Sequence, residues 1–325
     1  MGTETPLVND STGPHALLIV TLPLALALLC FSARIYTRAF PIYKLNASDY
    51  MNSFAIFSEL VTFSLFAASI NAGFGRHDVF ITPQMHIKIM KLKLASVIAG
   101  PFASTFARVS TVYQMVTIAP SVAWRRSLWA MVGFLLAAFV AFDLSAALQC
   151  HPINWATSGH CFSKSARLII NYTRAGTGII NDLAFAIVPT FLIWKLSRSR
   201  WELCLVSTLM SFGLCATGMG IGYIIQSRAI RMSAEPMRSS VVLFMYCRLE
   251  EIFLLIAASA PFLKAPIERV LRRFGAPAFH NMPRELATYH SNGASGSQES
   301  DARPRQGLGG QKTQSDGSLS ATQTV

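Results

Sequence analysis

The sequence predicts an all-α membrane protein: a bundle of seven transmembrane helices with its N-terminus outside and a disordered cytoplasmic C-terminal tail. Of the 325 residues, 52% are hydrophobic and only 14% are charged, and the mean hydropathy is +0.41. Soluble domains usually carry about 25% charged residues. This composition excludes a chain that is disordered over its whole length, a collagen-like repeat and a secreted disulfide-rich miniprotein.

Seven apolar segments are long enough to cross a bilayer, which takes a helix of about 20 residues. They cover residues 16–31, 51–70, 92–118, 128–148, 168–193, 203–225 and 241–260. No Lys or Arg precedes the first segment, so we interpret it as a retained span and not as a signal peptide. The predicted transmembrane domain occupies residues 16–263 and follows an outer N-terminal segment of residues 1–15.

The orientation follows from the Lys and Arg residues near the span ends, which collect on the cytoplasmic side. With the N-terminus outside, twelve of them lie on the inner side and nine on the outer side. Residues 264–280 place three arginines opposite an apolar face, which is typical of a basic interfacial helix or of a cytoplasmic extension of the last span.

Residues 281–325 are rich in Gly, Ser, Gln and Thr, so they are predicted to be disordered. The net charge of +12 is spread over loops and tail, and we expect no nucleic acid partner.

The loop after the fourth span contains Cys150 and Cys161, and the outer N-terminal segment contains a glycosylation sequon at Asn9. An oxidising compartment permits a disulfide between the two cysteines, and Asn9 is predicted to accept a glycan. His151 and His160 stand beside the cysteines, but adjacent residues chelate a metal poorly together. Since no tetrahedral-site spacing appears, we predict no metal site.

Ionisable side chains inside spans are energetically expensive, and each is a candidate functional residue. They are Glu59, Arg108, Asp143, Arg174, Asp182, Arg248, Glu250 and Glu251. Asp143 and Arg174 each lie roughly 8–9 Å below the outer ends of consecutive helices, given a rise of about 1.5 Å per residue, so we expect them to pair. The other six lie nearer the midplane, where four carboxyl groups face two arginines. We expect at least one of these acids to keep its proton at neutral pH.

The fifth span has a polar face. Asn171, Arg174, Thr177, Gly178 and Asn181 recur every three or four residues and share one side of the helix. The pattern predicts either a lined cavity or a hydrogen-bonded seam between helices.

The sequence lacks the motifs that several kinds of catalytic and cofactor site require. There is no Gly-rich phosphate loop, Ser-His-Asp set, HExxH or paired CxxC. A retinal pigment of the microbial type needs a Schiff-base lysine in the last span, and residues 241–260 contain none. Lys264 follows only after Pro261, at the membrane edge. We therefore expect no cofactor, and in particular no retinal.

A set of short motifs is specific through its order and spacing. The motifs are RIYTR (34–38), Asp49-Tyr50, GFGRH (73–77), Arg108-Val109-Ser110, CHP…W…C (150–161), Asn181-Asp182, WKL (194–196) and Glu250 eleven residues before Pro261. Together they resemble the fungal rhodopsin-domain integral membrane proteins, a family that includes the satratoxin-cluster membrane protein type and is similar to heptahelical pathogenicity receptor-like proteins. The resemblance covers about residues 16–265. It implies a multi-pass protein of the plasma membrane or an endomembrane, often encoded among secondary-metabolite genes, although Arg108 stands where the family usually has lysine.

Three functions fit these features. The preferred hypothesis is a receptor-like sensor or accessory protein of secondary-metabolite (mycotoxin) biosynthesis, with a small apolar ligand and a cytoplasmic signalling partner. The second is a membrane-embedded cyclase or isomerase that acts on an apolar metabolite, with Asp182 or Glu250 as proton donor and Glu59 as the next choice. The third is a small-molecule transporter, which the lack of an internal repeat disfavours. The first is preferred because structural ion-pair networks produce the same charges as an acid site.

Overall fold

The computed structural model describes residues 10–39, 45–118, 121–151, 160–194 and 200–260. Seven α-helices account for most of these residues: α1 (Gly13–Ala39), α2 (Ala47–Asn71), α3 (Pro83–Ile118), α4 (Val122–Ala147), α5 (Lys164–Trp194), α6 (Arg200–Met232) and α7 (Pro236–Ser259). A short 3-10 helix covers Asp78–Phe80, and the strands β1 (Cys150–His151) and β2 (His160–Cys161) form one antiparallel ladder. Within these described ranges, the prediction of a helical protein with seven long helices is confirmed.

Each predicted span lies inside one α-helix, apart from one residue at the end of the fourth and of the seventh span, and the helices extend beyond their apolar segments. The helix α3 has 36 residues and is therefore roughly 54 Å long, at about 1.5 Å per residue. At its N-terminal end, α3 begins before the apolar segment of residues 92–118, and this extension contains Lys88 and Lys91. The helix α1 continues eight residues past the predicted end at residue 31 and includes Arg34 and Arg38.

The outer surfaces of the helices are suited to contact with lipid. Among the described residues, α1, α2, α4 and α3 up to Thr117 are long and apolar enough to cross a membrane. Large apolar side chains project from the bundle, and Leu22 and Phe57 are 68% and 63% exposed. An apolar surface of this kind is unfavourable in water and typical of a face that contacts a membrane.

The helix α7 forms the centre of the packing, because it contacts α1, α2, α3 and α6. Its C-terminal half is almost entirely buried, and Ile252 and Leu255 are completely so. The helices α2 and α3 pack on each other along much of their length. The helix α4 lies at the periphery, where Leu128, Val132 and Leu135 pack towards α3 and the rest of the helix is largely exposed.

One end of the bundle is closed by the segment before α1 and the loop between α2 and α3. The backbone N–H of Thr12 donates to the carbonyl of Gly75 at 3.1 Å. Gly75 has a φ of +102°, a conformation that favours glycine, and a Cβ at this position would lie 2.8 Å from the backbone nitrogen of Gly13. Arg238, in the first turn of α7, donates to Asp10 at 2.7 Å and ties α7 to the same segment.

Three predicted features lie outside the described residues. They are the sequon at Asn9, the interfacial helix of residues 264–280 and the tail of residues 281–325. They stay predictions.

Candidate functional site

The six midplane charges form two clusters, both of which include α7. The Arg108 cluster consists of Arg108, Asp182 and Glu250, and the Arg248 cluster consists of Glu59, Arg248 and Glu251. Glu250 and Glu251 are adjacent in the sequence but bind different arginines, because neighbouring residues of an α-helix point about 100° apart.

The Arg108 cluster joins α3, α5 and α7. Nε and Nη2 of Arg108 donate to Oδ1 of Asp182 at 3.0 and 2.7 Å, and Nη2 also donates to Oε1 of Glu250 at 3.1 Å. Asp182 is completely buried, and its Oδ2 has no hydrogen-bond partner among the described residues. The Glu250 side chain is 22% exposed. One guanidinium therefore links two carboxyl groups that come from two other helices.

The Arg248 cluster joins α2 and α7. Nη2 of Arg248 donates to Oε1 of Glu251 at 2.8 Å, and Nη1 lies 2.5 Å from Oε2 of the same carboxyl group. Glu59 is completely buried and lies further away, with its Oε2 3.5 Å from Nη1. In the described part of the chain, Oε1 of Glu59 has no hydrogen-bond partner. As in the Arg108 cluster, two carboxyl groups share one arginine.

The helix α3 approaches the Arg248 cluster closely because residue 100 is a glycine. A Cβ at Gly100 would overlap the guanidinium of Arg248 and lie 2.7 Å from Oε1 of Glu251. A small residue of this kind lets polar side chains of one helix lie against the backbone of another.

We expect Gly100→Ala to lower the midpoint of thermal unfolding of the purified full chain, because overpacking costs about 1–3 kcal/mol. The matched control is Gly218→Ala in α6, where a Cβ would meet nothing within 4 Å. Alanine is favoured over glycine in a helix by about 1 kcal/mol, so this control should keep or slightly raise the midpoint. Equal midpoints for the two variants would contradict the close approach at Gly100.

A third cluster of buried charges joins α1 and α2 and lies outside the predicted spans. Arg34 is completely buried and donates to Asp49 Oδ1 at 2.9 Å, to Ser48 Oγ at 2.8 Å and to the carbonyl of Ala258 at 2.7 Å. Arg38 donates to the other carboxylate oxygen of Asp49 at 2.7 Å. The signal in the sequence was the complementary charge of two motifs, RIYTR and Asp49-Tyr50.

Asp143 and Arg174 do not form the predicted ion pair. Oδ1 of Asp143 is buried and has no hydrogen-bond partner within the described ranges. The positive charge of Arg174 acts on Asp143, but without direct contact. The rotation of α4 and α5 about their axes decides whether the two side chains meet, and it was not accessible from the sequence.

Arg174 instead lines a cavity of about 40 Å³ between α3, α4 and α5. Arg167 and Asn171 line it from the same helix, and Ser145 and Gln149 line it from the end of α4 and the residues that follow. Two residues of the polar face predicted for the fifth span, Asn171 and Arg174, therefore line a cavity. Further along α5, Asn181 is buried.

The ladder between β1 and β2 sets Cys150 directly opposite Cys161. The N–H of Phe162 donates to the carbonyl of Gln149 at 2.9 Å, so these flanking residues are the hydrogen-bonded pair and the cysteines are the non-hydrogen-bonded pair. The Cα atoms of such a pair are about 4.5 Å apart, within the range that a disulfide spans. The backbone register is compatible with the predicted disulfide, which stays a prediction.

The residues do not fit a retinal bound as a Schiff base in the last helix, because α7 contains no lysine. Another lysine, Lys93 of α3, lies among the packed helices and is half-buried. Its ammonium donates to Ser240 Oγ at 3.0 Å and lies over the rings of Phe74 and Phe244, 4.8 and 5.2 Å from their centroids. The Lys93 ammonium therefore already has a hydrogen-bond partner and two cation–π contacts.

The comparisons with known proteins identify a family. The family model described as the fungal rhodopsin domain matches residues 33–269, which are 237 of the 325 residues. Neither the curated proteins nor the solved structures gave a match. The matched region includes all three clusters of charged residues, and the resemblance found from the motifs is confirmed. The chain belongs to the fungal rhodopsin domain family and is an integral multi-pass membrane protein.

Proposed function

We propose that this protein is a receptor-like sensor or accessory protein of secondary-metabolite (mycotoxin) biosynthesis, without chemistry of its own. The observation that supports a sensor is Arg108, which binds acids of α5 and α7 at once. A movement of α5 relative to α7 has to break or exchange these contacts. A ligand that binds one arrangement better than the other would therefore shift the whole set of helices. The association with secondary metabolism rests on the family resemblance.

In this proposal all seven α-helices cross the membrane with the N-terminus outside. The ends of α1 and α7 and the start of α2 then lie on the cytoplasmic side, where Arg34 ties them together. A signalling partner would bind this side, beside the basic segment of residues 264–280. The ligand is a small apolar molecule, and we expect no metal, retinal or nucleic acid to take part.

We further propose a Cys150–Cys161 disulfide and a glycan at Asn9, both on the outer side. Mass spectrometry of the full chain, alkylated before and after reduction, should detect a peptide that links the two cysteines and disappears on reduction. Cys150→Ser should remove this peptide, and peptide-N-glycosidase should convert Asn9 to Asp. Detection of both cysteines as free thiols, together with an unmodified Asn9, would contradict the proposed orientation.

The second candidate function, an intramembrane cyclase or isomerase, is favoured by Oδ2 of Asp182. This oxygen is buried and has no hydrogen-bond partner in the described part of the chain, and a buried carboxylic acid can protonate an alkene, epoxide or enol. The other oxygen of Asp182 is engaged by Arg108, which also binds Glu250. The cavity beside α5 has about 40 Å³, whereas small-molecule sites usually have about 300–1,000 Å³. For the transporter, the third candidate, we identify no specific contact in its favour.

The test is a metabolite profile of a deletion strain, complemented with the wild-type chain, Asp182→Asn or Glu250→Gln. A sensor or accessory protein should leave the set of products unchanged and alter only their total amount. Gly218→Ala serves as control, since a Cβ at this position meets nothing within 4 Å. A precursor that accumulates while its cyclised or isomerised product is missing would favour the enzyme. Unaltered product that accumulates in cells and is missing from the medium would favour the transporter.

A further inference from the structure

We propose that α3, α4 and α5 form a binding site for one oxyanion group, such as a carboxylate, sulfate or phosphate. The site is the cavity of about 40 Å³ that is lined by Arg167, Asn171, Arg174, Gln149 and Ser145. In this measure a single water needs about 10–15 Å³, so the cavity has room for one small polyatomic group. The proposal is independent of the proposed function, because it concerns binding at a different place from the Arg108 and Arg248 clusters.

The two arginines of the cavity differ from the arginines of the clusters. In the part of the chain that the structure describes, neither guanidinium, that of the exposed Arg167 nor that of the half-buried Arg174, forms a hydrogen bond or a close ion pair. The three arginines of the buried clusters each have a carboxylate partner: Arg34, Arg108 and Arg248. A guanidinium presents several N–H donors in a planar fork that matches an oxyanion. Two such groups that line one cavity without a carboxylate partner make a cationic site for an anion.

The neutral residues of the cavity complete this donor set. Asn171 lies four residues after Arg167 and three before Arg174, so all three share one face of α5. Gln149 is held at the cavity by the backbone hydrogen bond from Phe162 at 2.9 Å. Phe162 and other apolar residues form the rest of the lining.

Asp143 provides an internal check on the proposal. Its carboxyl group is close enough for the charge of Arg174 to act on it, although the residue does not line the cavity. Its negative charge opposes a bound anion. Asp143→Asn should therefore bind the oxyanion more tightly, by about tenfold for a difference of about 1.4 kcal/mol.

The experiment measures thermal unfolding of the purified full chain in phosphatidylcholine nanodiscs. Sodium phosphate, sulfate and acetate are compared with sodium chloride at equal ionic strength. We expect a saturable rise of the unfolding midpoint that is lost in Arg174→Gln and retained in Arg228→Gln, a control at an exposed arginine of α6. Half of the rise should occur at about tenfold lower anion concentration in Asp143→Asn. If Arg174→Gln does not fold, Arg167→Gln replaces it.

A second arm separates a free anion from the phosphate of a lipid. Nanodiscs that contain phosphatidic acid are compared with phosphatidylcholine alone. A rise that occurs only with phosphatidic acid, and that is lost in Arg174→Gln, supports the site with a lipid headgroup as occupant. An equal response of Arg174→Gln and the wild type, or no response to any anion, would overturn the proposal. Equal destabilisation by Arg174→Gln, Asp143→Asn and the double variant, without an anion effect, would show that the two residues form a simple pair.

Discussion

Arg34→Gln should lower the free energy of unfolding of the chain far more than the same change at Arg38, the other arginine of α1. Arg34 is completely buried and makes hydrogen bonds to α2 and to the end of α7. Its removal leaves the carbonyl of Ala258 and one oxygen of Asp49 without these donors in a buried position. Breaking a buried ion pair by removal of one partner costs about 3–5 kcal/mol. Size-exclusion chromatography of the fluorescently tagged full chain after heating should show the loss as a lower melting temperature.

The matched control is Arg38→Gln, because Arg38 binds the same carboxylate from a more exposed position. Its side chain is 21% exposed, against 0% for Arg34. A partly solvated ion pair contributes about 1 kcal/mol or less, so this variant should melt close to the wild type. Arg34→Lys should lie between the two, since lysine keeps the charge but cannot reach all three partners. Equal melting temperatures for Arg34→Gln and Arg38→Gln would refute the role assigned to Arg34.

The helices could be predicted from the sequence because each contains an apolar run, and such runs are recognised by length alone. The ends of the helices could not. The first span was predicted to end near residue 31, yet α1 continues to Ala39. Arg34 tolerates burial because Asp49 and Ala258 accept hydrogen bonds from its guanidinium, and those contacts come from other helices. A contact between distant parts of the chain leaves no local pattern.

The residues of the candidate site could also be predicted from the apolar runs. Which of them bind each other could not be predicted. A charged residue is rare within an apolar run, and Arg108, Asp182 and Glu250 were identified for this reason. Which acid binds which arginine depends on how each helix is rotated about its axis. Depth alone predicted that Asp143 would pair with Arg174, and the two are not in contact.

Arg108→Gln is the second change from which we expect a large effect. Arg108 is the one cation that binds both Asp182 and Glu250 among the described residues, and Asp182 is completely buried. Without it, two carboxyl groups from α5 and α7 face each other unpaired, at a cost of about 3–5 kcal/mol. Asp182→Asn should cost less, because the amide oxygen can still accept from Arg108. The melting temperature of each purified variant gives the comparison.

The double variant Arg108→Gln with Asp182→Asn tests whether the loss of stability comes from the ion pair between these two residues. If the residues act through each other, the double variant should lose less than the sum of the two single losses, with a coupling of about 0.5–3 kcal/mol. Arg108→Lys tests the geometry, since one ammonium cannot reproduce the donation of Nε and Nη2 to Asp182 together with the bond to Glu250. Strictly additive losses would show that Arg108 and Asp182 act separately. The helices α3, α5 and α7 would then lack the shared contact on which a sensor mechanism depends.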